Sequence, residues 1–242
     1  MPENGLKPGS PVLALDASTD RLSLALAAKG RVFAWEGAGG AQASSQALPR
    51  IRALLTEAGQ SLDDLGGVVL GRGPGSFTGV RTACALAQGL AAGAQRGQGC
   101  PVVPICSLLS VAEAVRRPQD ATNIIAILDA RMNECYAAWY AWDGSDWQER
   151  RAPCLVSPED ARLAEPGWLL AGNVFDAYGA RLPAQAGRRA AQHPSAQALL
   201  ALGLPLLAAG RGLPAHEALP LYVRDKVAQT TAEREAGSGK PD

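Results

Sequence analysis

Two short turns carry residue types able to handle phosphate or metal. The first is Asp16-Ala17-Ser18-Thr19, where an acid and small hydroxyls follow the apolar run Val12-Leu13-Ala14-Leu15. An acid and hydroxyls at the end of a strand can orient a metal-bound phosphate, and they are also ordinary turn formers, which is the reading preferred from the residues alone. The second turn is Gly71-Arg72-Gly73-Pro74-Gly75-Ser76-Phe77-Thr78, placed between the apolar run Val68-Val69-Leu70 and an Ala-rich, helix-favouring stretch to Leu90. Strand, glycine loop and helix in that order aim backbone N–H groups and the positive helix end at one point, which suits an anion or a closely approaching backbone. Arg72 and Arg81 could add charge for a phosphate. The loop lacks the Gly-Lys-Ser or Gly-Lys-Thr ending of a Walker A site, and a tight strand-to-helix turn is preferred over a nucleotide seat.

Other chemistries are excluded by residue type and position. The histidines are His193 and His216, so the first 192 residues cannot build a His-based zinc or iron centre. No Gly-x-Ser-x-Gly elbow occurs, and Ser76 stands where a helix N-cap is needed. The five cysteines, Cys84, Cys100, Cys106, Cys135 and Cys154, form no CxxC pair and read as small hydrophobes. Lys plus Arg and Asp plus Glu both number 23, so a chain gripping nucleic acid by itself is not expected. No apolar run approaches a membrane span and the first residues do not resemble a signal region, which points to a cytoplasmic protein.

The elements that must position the two turns follow from periodicity. After a polar leader at residues 1–11, expected to be disordered, come a strand at 12–15, an alternating strand around Leu22, Leu24 and Leu26, and a third strand at 31–36. Helical spacing starts at Ser44, with Leu48, Ile51, Leu55 and Ala58 assigned to one face and Gly59 as the stop. The strand, loop and helix of the second turn follow, then a strand at Val102-Val103-Pro104-Ile105. A helix at Leu108–Val115 opens a reduced echo: a strand at Ile124–Leu128, a turn at residues 129–133 and a strand from Cys135 to Trp142. A helix start at Ser157-Pro158-Glu159-Asp160, a strand at Trp168–Ala171 and a leucine-rich helix at Ser195–Gly210 complete it, with a kink expected at Gly203 and Pro205. The chain is thus expected to form two α/β lobes with a cleft between them, spanning 12–106 and 107–234, with residues 218–227 docked and a disordered tail at 235–242.

One feature of the central helix bears on partners. Gly79, Ala83, Ala87 and Ala91 recur every fourth residue, beside Phe77, Val80 and Cys84. This smooth stripe either packs on the lobe's own sheet or lets a second helix approach, and both readings stay open.

The blocks Leu13–Thr19, Gly71–Thr82, Asp129–Tyr136 and Pro220–Arg224 resemble, in the same order, the TsaB (YeaZ-type) family of the bacterial tRNA threonylcarbamoyladenosine machinery. The resemblance implies an actin-like (ASKHA, ribonuclease H-like) fold, each lobe a βββαβα-type mixed sheet with helices, that has lost catalysis and holds no metal. It implies a subunit that pairs with TsaD, together with the ATPase TsaE, or forms a homodimer when TsaD is absent, and that meets tRNA only through the complex. The complex transfers threonylcarbamoyl from its adenylate to the adenosine 3′ of the anticodon in ANN-decoding tRNAs; ATP or ADP is expected at most at a complex interface. Carried onto this chain, the partner interface falls on Leu48, Ile51, Leu55, Phe77, Thr78, Gly79, Val80, Arg81, Ala83, Cys84 and Ala87. Asp16, Ser18, Thr19, Gly71, Arg72, Gly73, Gly75 and Ser76 become remnants of a phosphate loop. Two departures stand out: Ala43-Ser44-Ser45-Gln46 replaces the family's frequent His-Ser-Glu start, and Gly172-Asn173-Val174 replaces a more glycine-rich turn. The competing reading is an independent actin-like ATPase or small-molecule kinase; a metallopeptidase is disfavoured by the shortage of histidine.

Overall fold

The computed structural model describes residues 6, 9–116, 122–161, 167–182 and 188–224. Strands β1 (Val12–Asp16), β2 (Arg21–Ala28), β3 (Arg31–Ala38), β4 (Gly67–Gly71) and β5 (Val102–Ile105) form one sheet in the order β3-β2-β1-β4-β5. β1, β2 and β3 pair antiparallel, whereas β1, β4 and β5 pair parallel. The second sheet is built from β6 (Asn123–Arg131), β7 (Glu134–Trp142), β8 (Trp147–Val156), β9 (Leu169–Gly172) and β10 (Arg188–Ala191), in the order β8-β7-β6-β9-β10. The two orders are the same, as are the parallel and antiparallel pairings. The expected echo is therefore a duplicated sheet topology, as the actin-like fold requires.

Helices α1 (Ala43–Glu57) and α2 (Phe77–Gly97) cover one face of the first sheet, where Leu13, Leu15, Leu24 and Leu70 meet Ile51, Leu55, Ala83 and Ala87. β1 is apolar at both alternations because its other face is also covered. That cover is helix α5 (Ala196–Ala208), whose Leu199, Leu200 and Leu207 pack on Val12, Ala14, Val69 and Val103. Helix α3 (Ser107–Arg116) packs on the second sheet and against α5. A helix drawn from the second half of the chain thus completes the core around the first sheet.

Gly203 explains how α5 comes so close. A Cβ there would meet Val69 Cγ2 at 2.4 Å, so only glycine permits this approach. The helix continues through Gly203 and through Pro205, and the expected kink does not divide it. A short helix, α4 (Phe175–Tyr178), covers the opposite face of the second sheet with Val174 and Tyr178.

Several local expectations change. Leu48 is 41% exposed, and the inward face of α1 is completed by Ala43, Ala47 and Leu54. Ser157 caps a single 3-10 turn, Pro158–Asp160, by accepting from the Asp160 N–H. Strand β8 was not expected because its Gln148-Glu149-Arg150-Arg151 run is polar and exposed; β8 is an edge strand, irregular in register opposite Ala137–Tyr140. The signal that marks it is Asp143-Gly144, with Asp143 Oδ1 accepting from the Ser145 and Asp146 N–H groups to reverse the chain. β10 also lacks an apolar pattern and forms by pairing beside β9. Within the expected leader, Pro11 O accepts from the Gly66 N–H at 2.8 Å and Leu6 packs against the α5 side of the core. The expected tail at 235–242 lies outside the described residues.

Candidate functional site

The first-lobe acid is spent inside the protein. Asp16 ends β1 and is 2% exposed. Its Oδ1 accepts from the Ser18 N–H at 2.8 Å and from the Ser18 hydroxyl at 2.6 Å. Its Oδ2 accepts from the Ser107 hydroxyl, and Ser107 Oγ in turn accepts from the Gly73 N–H at 3.1 Å. Burial pushes the Asp16 carboxyl above the usual carboxylate range, although the Ser107 and Ser18 hydrogen bonds work in the opposite direction.

The glycine loop docks on this turn through backbone. The Ser76 N–H donates to Ser18 O at 2.7 Å. A Cβ on Gly71 would sit 1.9 Å from Asp16 Oδ2, one on Gly75 would sit 2.1 Å from Ser18 O, and one on Gly79 would sit 2.0 Å from Ala17 O. The strand–glycine–helix geometry thus admits a closely approaching backbone. Ser76 caps α2 as expected, accepting from the Gly79 N–H at 3.4 Å.

The second-lobe turn repeats the plan with different atoms. Asp129 Oδ1 accepts from the Arg131 N–H at 2.8 Å and from the Tyr178 hydroxyl at 2.9 Å, while Asn173 Oδ1 accepts from the Asp129 N–H at 2.9 Å. Gly172 lies against Ile127 O, which a Cβ would approach to 1.6 Å. Between the two turns lies a cavity of about 590 Å³, lined from the first lobe by Ser18, Thr19 and Ser76 and from the second by Asp129, Asn173 and Tyr136. His193 reaches it from beyond β10, with Nδ1 3.4 Å from Thr19 Oγ1 and 3.6 Å from Asp20 Oδ1. Burial and the nearby Arg21 charge lower the His193 pKa, which favours the neutral ring. Among the described residues no three or more His, Cys, Asp or Glu side chains gather as a metal site, and no helix is long and apolar enough to cross a membrane.

The last described segment straps the lobes together over this cavity. The Leu221 N–H donates to Arg72 O at 2.8 Å. Tyr222 Oη accepts from Arg81 Nε at 2.8 Å, and the same guanidinium lies 3.7 Å from the centre of the Phe77 ring. Arg224 then crosses to the second lobe, donating to Ala130 O and to Glu134. The Pro220–Arg224 block thus holds inter-lobe contacts, and residues 225–227 lie outside the described residues.

This architecture has close counterparts. The YeaZ structure from Pseudomonas aeruginosa superposes with a TM-score of 0.79 at 34% identity, covering 88% of this chain and 99% of that one. The TsaD family, tRNA N6-adenosine threonylcarbamoyltransferase, matches residues 40–232. The tRNA threonylcarbamoyladenosine biosynthesis protein TsaB of Escherichia coli (strain K12) is 32% identical over 227 residues, 90% of this chain and 96% of that protein. The chain belongs to the TsaB (YeaZ) family. TsaB of Haemophilus influenzae is likewise 32% identical, over 89% of this chain and 94% of its own length.

The interface positions carried over from the TsaB family divide in two. Leu48, Phe77, Thr78 and Arg81 are exposed. Ile51, Leu55, Gly79, Val80, Ala83, Cys84 and Ala87 are buried under the lobe's own sheet and helices, so in this fold they are core and offer a partner no surface. The stripe Gly79, Ala83, Ala87 and Ala91 faces the sheet because its small side chains let α2 lie close to β1 and β4. The opposite face of α2 is also small and is open, presenting Thr78, Ala85, Gly89 and Ala92. Sequence reasoning did not single out Ser107, and it named Asn173 and His193 without these contacts: each is a lone polar residue with no local pattern, joined to the turns only by the fold.

Proposed function

We propose that the chain is the noncatalytic, TsaD-binding subunit of a cytoplasmic complex that makes threonylcarbamoyladenosine in tRNA. In this reading TsaD carries the transfer of threonylcarbamoyl from its adenylate to the adenosine 3′ of the anticodon, and TsaE joins the assembly. A homodimer forms when TsaD is absent, tRNA is met through the complex, and any ATP or ADP sits at a subunit seam. The names of the TsaB relatives and the span matched by the TsaD family support membership of that pathway.

The observation that carries the noncatalytic role is the buried first-lobe acid, Asp16, which does not line the cavity. An actin-like kinase or ATPase needs its acid and glycine loop open to metal and phosphate. Here Asp16 is already engaged by Ser18 and Ser107, and Gly75 and Gly79 abut the carbonyls of Ser18 and Ala17. The outward face of α2 supports the binding role: a Cβ on Gly89 meets nothing within 4 Å, and exposed Leu48 stands on neighbouring α1. Small residues on a helix face let a second helix pack at short range.

Co-purification with TsaD, followed by size-exclusion chromatography, tests the pairing, and Gly89→Arg is expected to abolish it while leaving the monomer folded. Depleting the protein from cells should remove the modification from tRNA digests; full modification after complete depletion overturns the reading. An ATPase predicts calorimetric binding of Mg-ATP by the isolated chain, and the buried Asp16 predicts none.

A further inference from the structure

Where the strap crosses α2, an exposed cation stands on exposed rings. Phe77 is 41% exposed, Tyr222 49% and Leu219 59%, three of the six large apolar side chains exposed among the described residues. They share one ridge because the strap runs along the helix: Gln88 Nε2 donates to Ala218 O at 3.2 Å, and at the other end Arg81 Nε donates to Tyr222 Oη at 2.8 Å. The Phe77 and Tyr222 ring centres are 5.9 Å apart, and the Arg81 guanidinium lies 3.7 Å from the first and 5.7 Å from the second. A side chain held in this way has already given up much of the rotamer freedom that binding would cost. Arginine beside aromatic rings is also the composition that carries most binding energy at interfaces, and a contiguous exposed apolar ridge marks a contact surface.

Charge selects the occupant. Arg21, Arg116, Arg131, Arg181 and Arg224 each lie within ion-pair distance of a carboxylate, whereas Arg81 pairs with none among the described residues. Tyr222 takes its Nε, and its terminal nitrogens bond to nothing among those residues. The two segments that build the ridge, α2 and residues 218–223, contain no acid. On neighbouring α1 the charges before its last residue, Glu57, are Arg50 and Arg52, both exposed. Asp63 reaches only the far end of α2, where it accepts from the Arg96 N–H at 3.1 Å. This face is therefore cationic on a chain whose net charge is zero. A second copy meeting it across a two-fold axis would set the patch against itself, arginine toward arginine. A different chain with an acidic face meets it with opposite charge.

We propose that this face receives an acidic partner, one carboxylate of which accepts from the terminal N–H groups of Arg81 while apolar side chains beside it cover Phe77, Leu219 and Tyr222. The inference rests on the subunit reading, in which the partner is TsaD, and adds that opposite charge centred on Arg81 holds the pair.

Calorimetric titration of the full chain with purified TsaD at low and high KCl tests this. Raising the salt from about 50 to about 500 mM should weaken the wild-type complex, a result that needs no variant. Arg81→Gln should weaken it by about tenfold at low salt and flatten the salt dependence, and Arg81→Glu should weaken it further. Tyr222→Phe releases the guanidinium without removing its charge and should fall between wild type and Arg81→Gln. Melting curves confirm that each variant is folded. A wild-type complex indifferent to salt, or Arg81→Glu that binds TsaD as tightly as wild type, overturns the proposal and leaves the subunit reading standing. Should Arg81→Glu disturb only self-association, the face belongs to a second copy and the proposal is again overturned. Absence of any complex between the wild-type chain and TsaD overturns both.

Discussion

The side chains of Asp16 and Ser107 meet at 2.5 Å although 91 positions separate them in the chain. One ends the central strand of the first sheet and the other begins α3, which packs on the second. Ser107 also receives the Gly73 N–H, so one hydroxyl joins both first-lobe turns to the inter-lobe helix. Ser107→Ala leaves a buried carboxylate oxygen and a backbone N–H unpaired, and is expected to cost about 2–4 kcal/mol in urea unfolding.

The pH dependence of that site has a definite sign. Burial raises the folded pKa of Asp16 above its ordinary 3.8, so its contribution to stability is fully present below that value and is lost as pH rises through the folded pKa. Asp16→Asn removes the titration. The stability of the variant relative to wild type should therefore rise between pH 3.8 and neutrality, measured as the difference in urea midpoints at each pH. A constant difference across that range would show that Asp16 titrates as an ordinary exposed acid.

Gly71, Gly75 and Gly79 should each resist replacement by alanine. The added methyl would fall at 1.9–2.1 Å from Asp16 Oδ2, Ser18 O and Ala17 O respectively, so the two turns must separate. A loss of about 2 kcal/mol or more is expected at each position, seen as a fall of roughly 4–8 °C in melting temperature. Gly89→Ala, which meets no atom within 4 Å, should instead raise stability by about 0.5–1 kcal/mol.

The two faces of α2 separate by their response to charge. Ala83→Arg or Ala87→Arg drives a guanidinium into a core where both alanines are 0% exposed, and circular dichroism should report an unfolded or aggregated chain. Ala85→Arg on the open face should keep the wild-type melting curve and lose TsaD in a pull-down. Should both faces tolerate arginine, the packing described for α2 is wrong.

Cysteine reactivity reports on the same cores. Burial pushes the Cys84 thiol up to about 11 and those of Cys100 and Cys135 up to about 12. Iodoacetamide at pH 8 should leave these three unmodified in the native protein and label them in urea, as peptide mass spectrometry can show.

Much of this molecule is legible in local sequence. The opening meander, the strand–glycine–helix unit and the Asp129–Tyr136 turn are marked by period, by glycine and by short polar turns, all of which act within a few residues. The two strands without an apolar pattern, β8 and β10, form because a neighbouring edge is available to pair with them. That is a property of the assembled sheet, not of their own residues.

For the candidate site the division is sharper. The sequence by itself determined that a glycine loop at Gly71–Ser76 would turn a strand into a helix near an acid-and-hydroxyl turn, and that the helix would carry small residues at a spacing of four. It left open whether the loop receives an anion or a backbone, and which side of the helix is core. Only the tertiary structure decided how the two turns pack and which helix side is core: Ser18 O lies against Gly75 and Ala17 O against Gly79, and the Ala83 and Ala87 face lies on the sheet. The reason is physical. Periodicity and turn chemistry depend on neighbours along the chain, whereas burial and the filling of a loop depend on groups brought from far away, as Ser107 is brought to Asp16 and α5 to the first sheet.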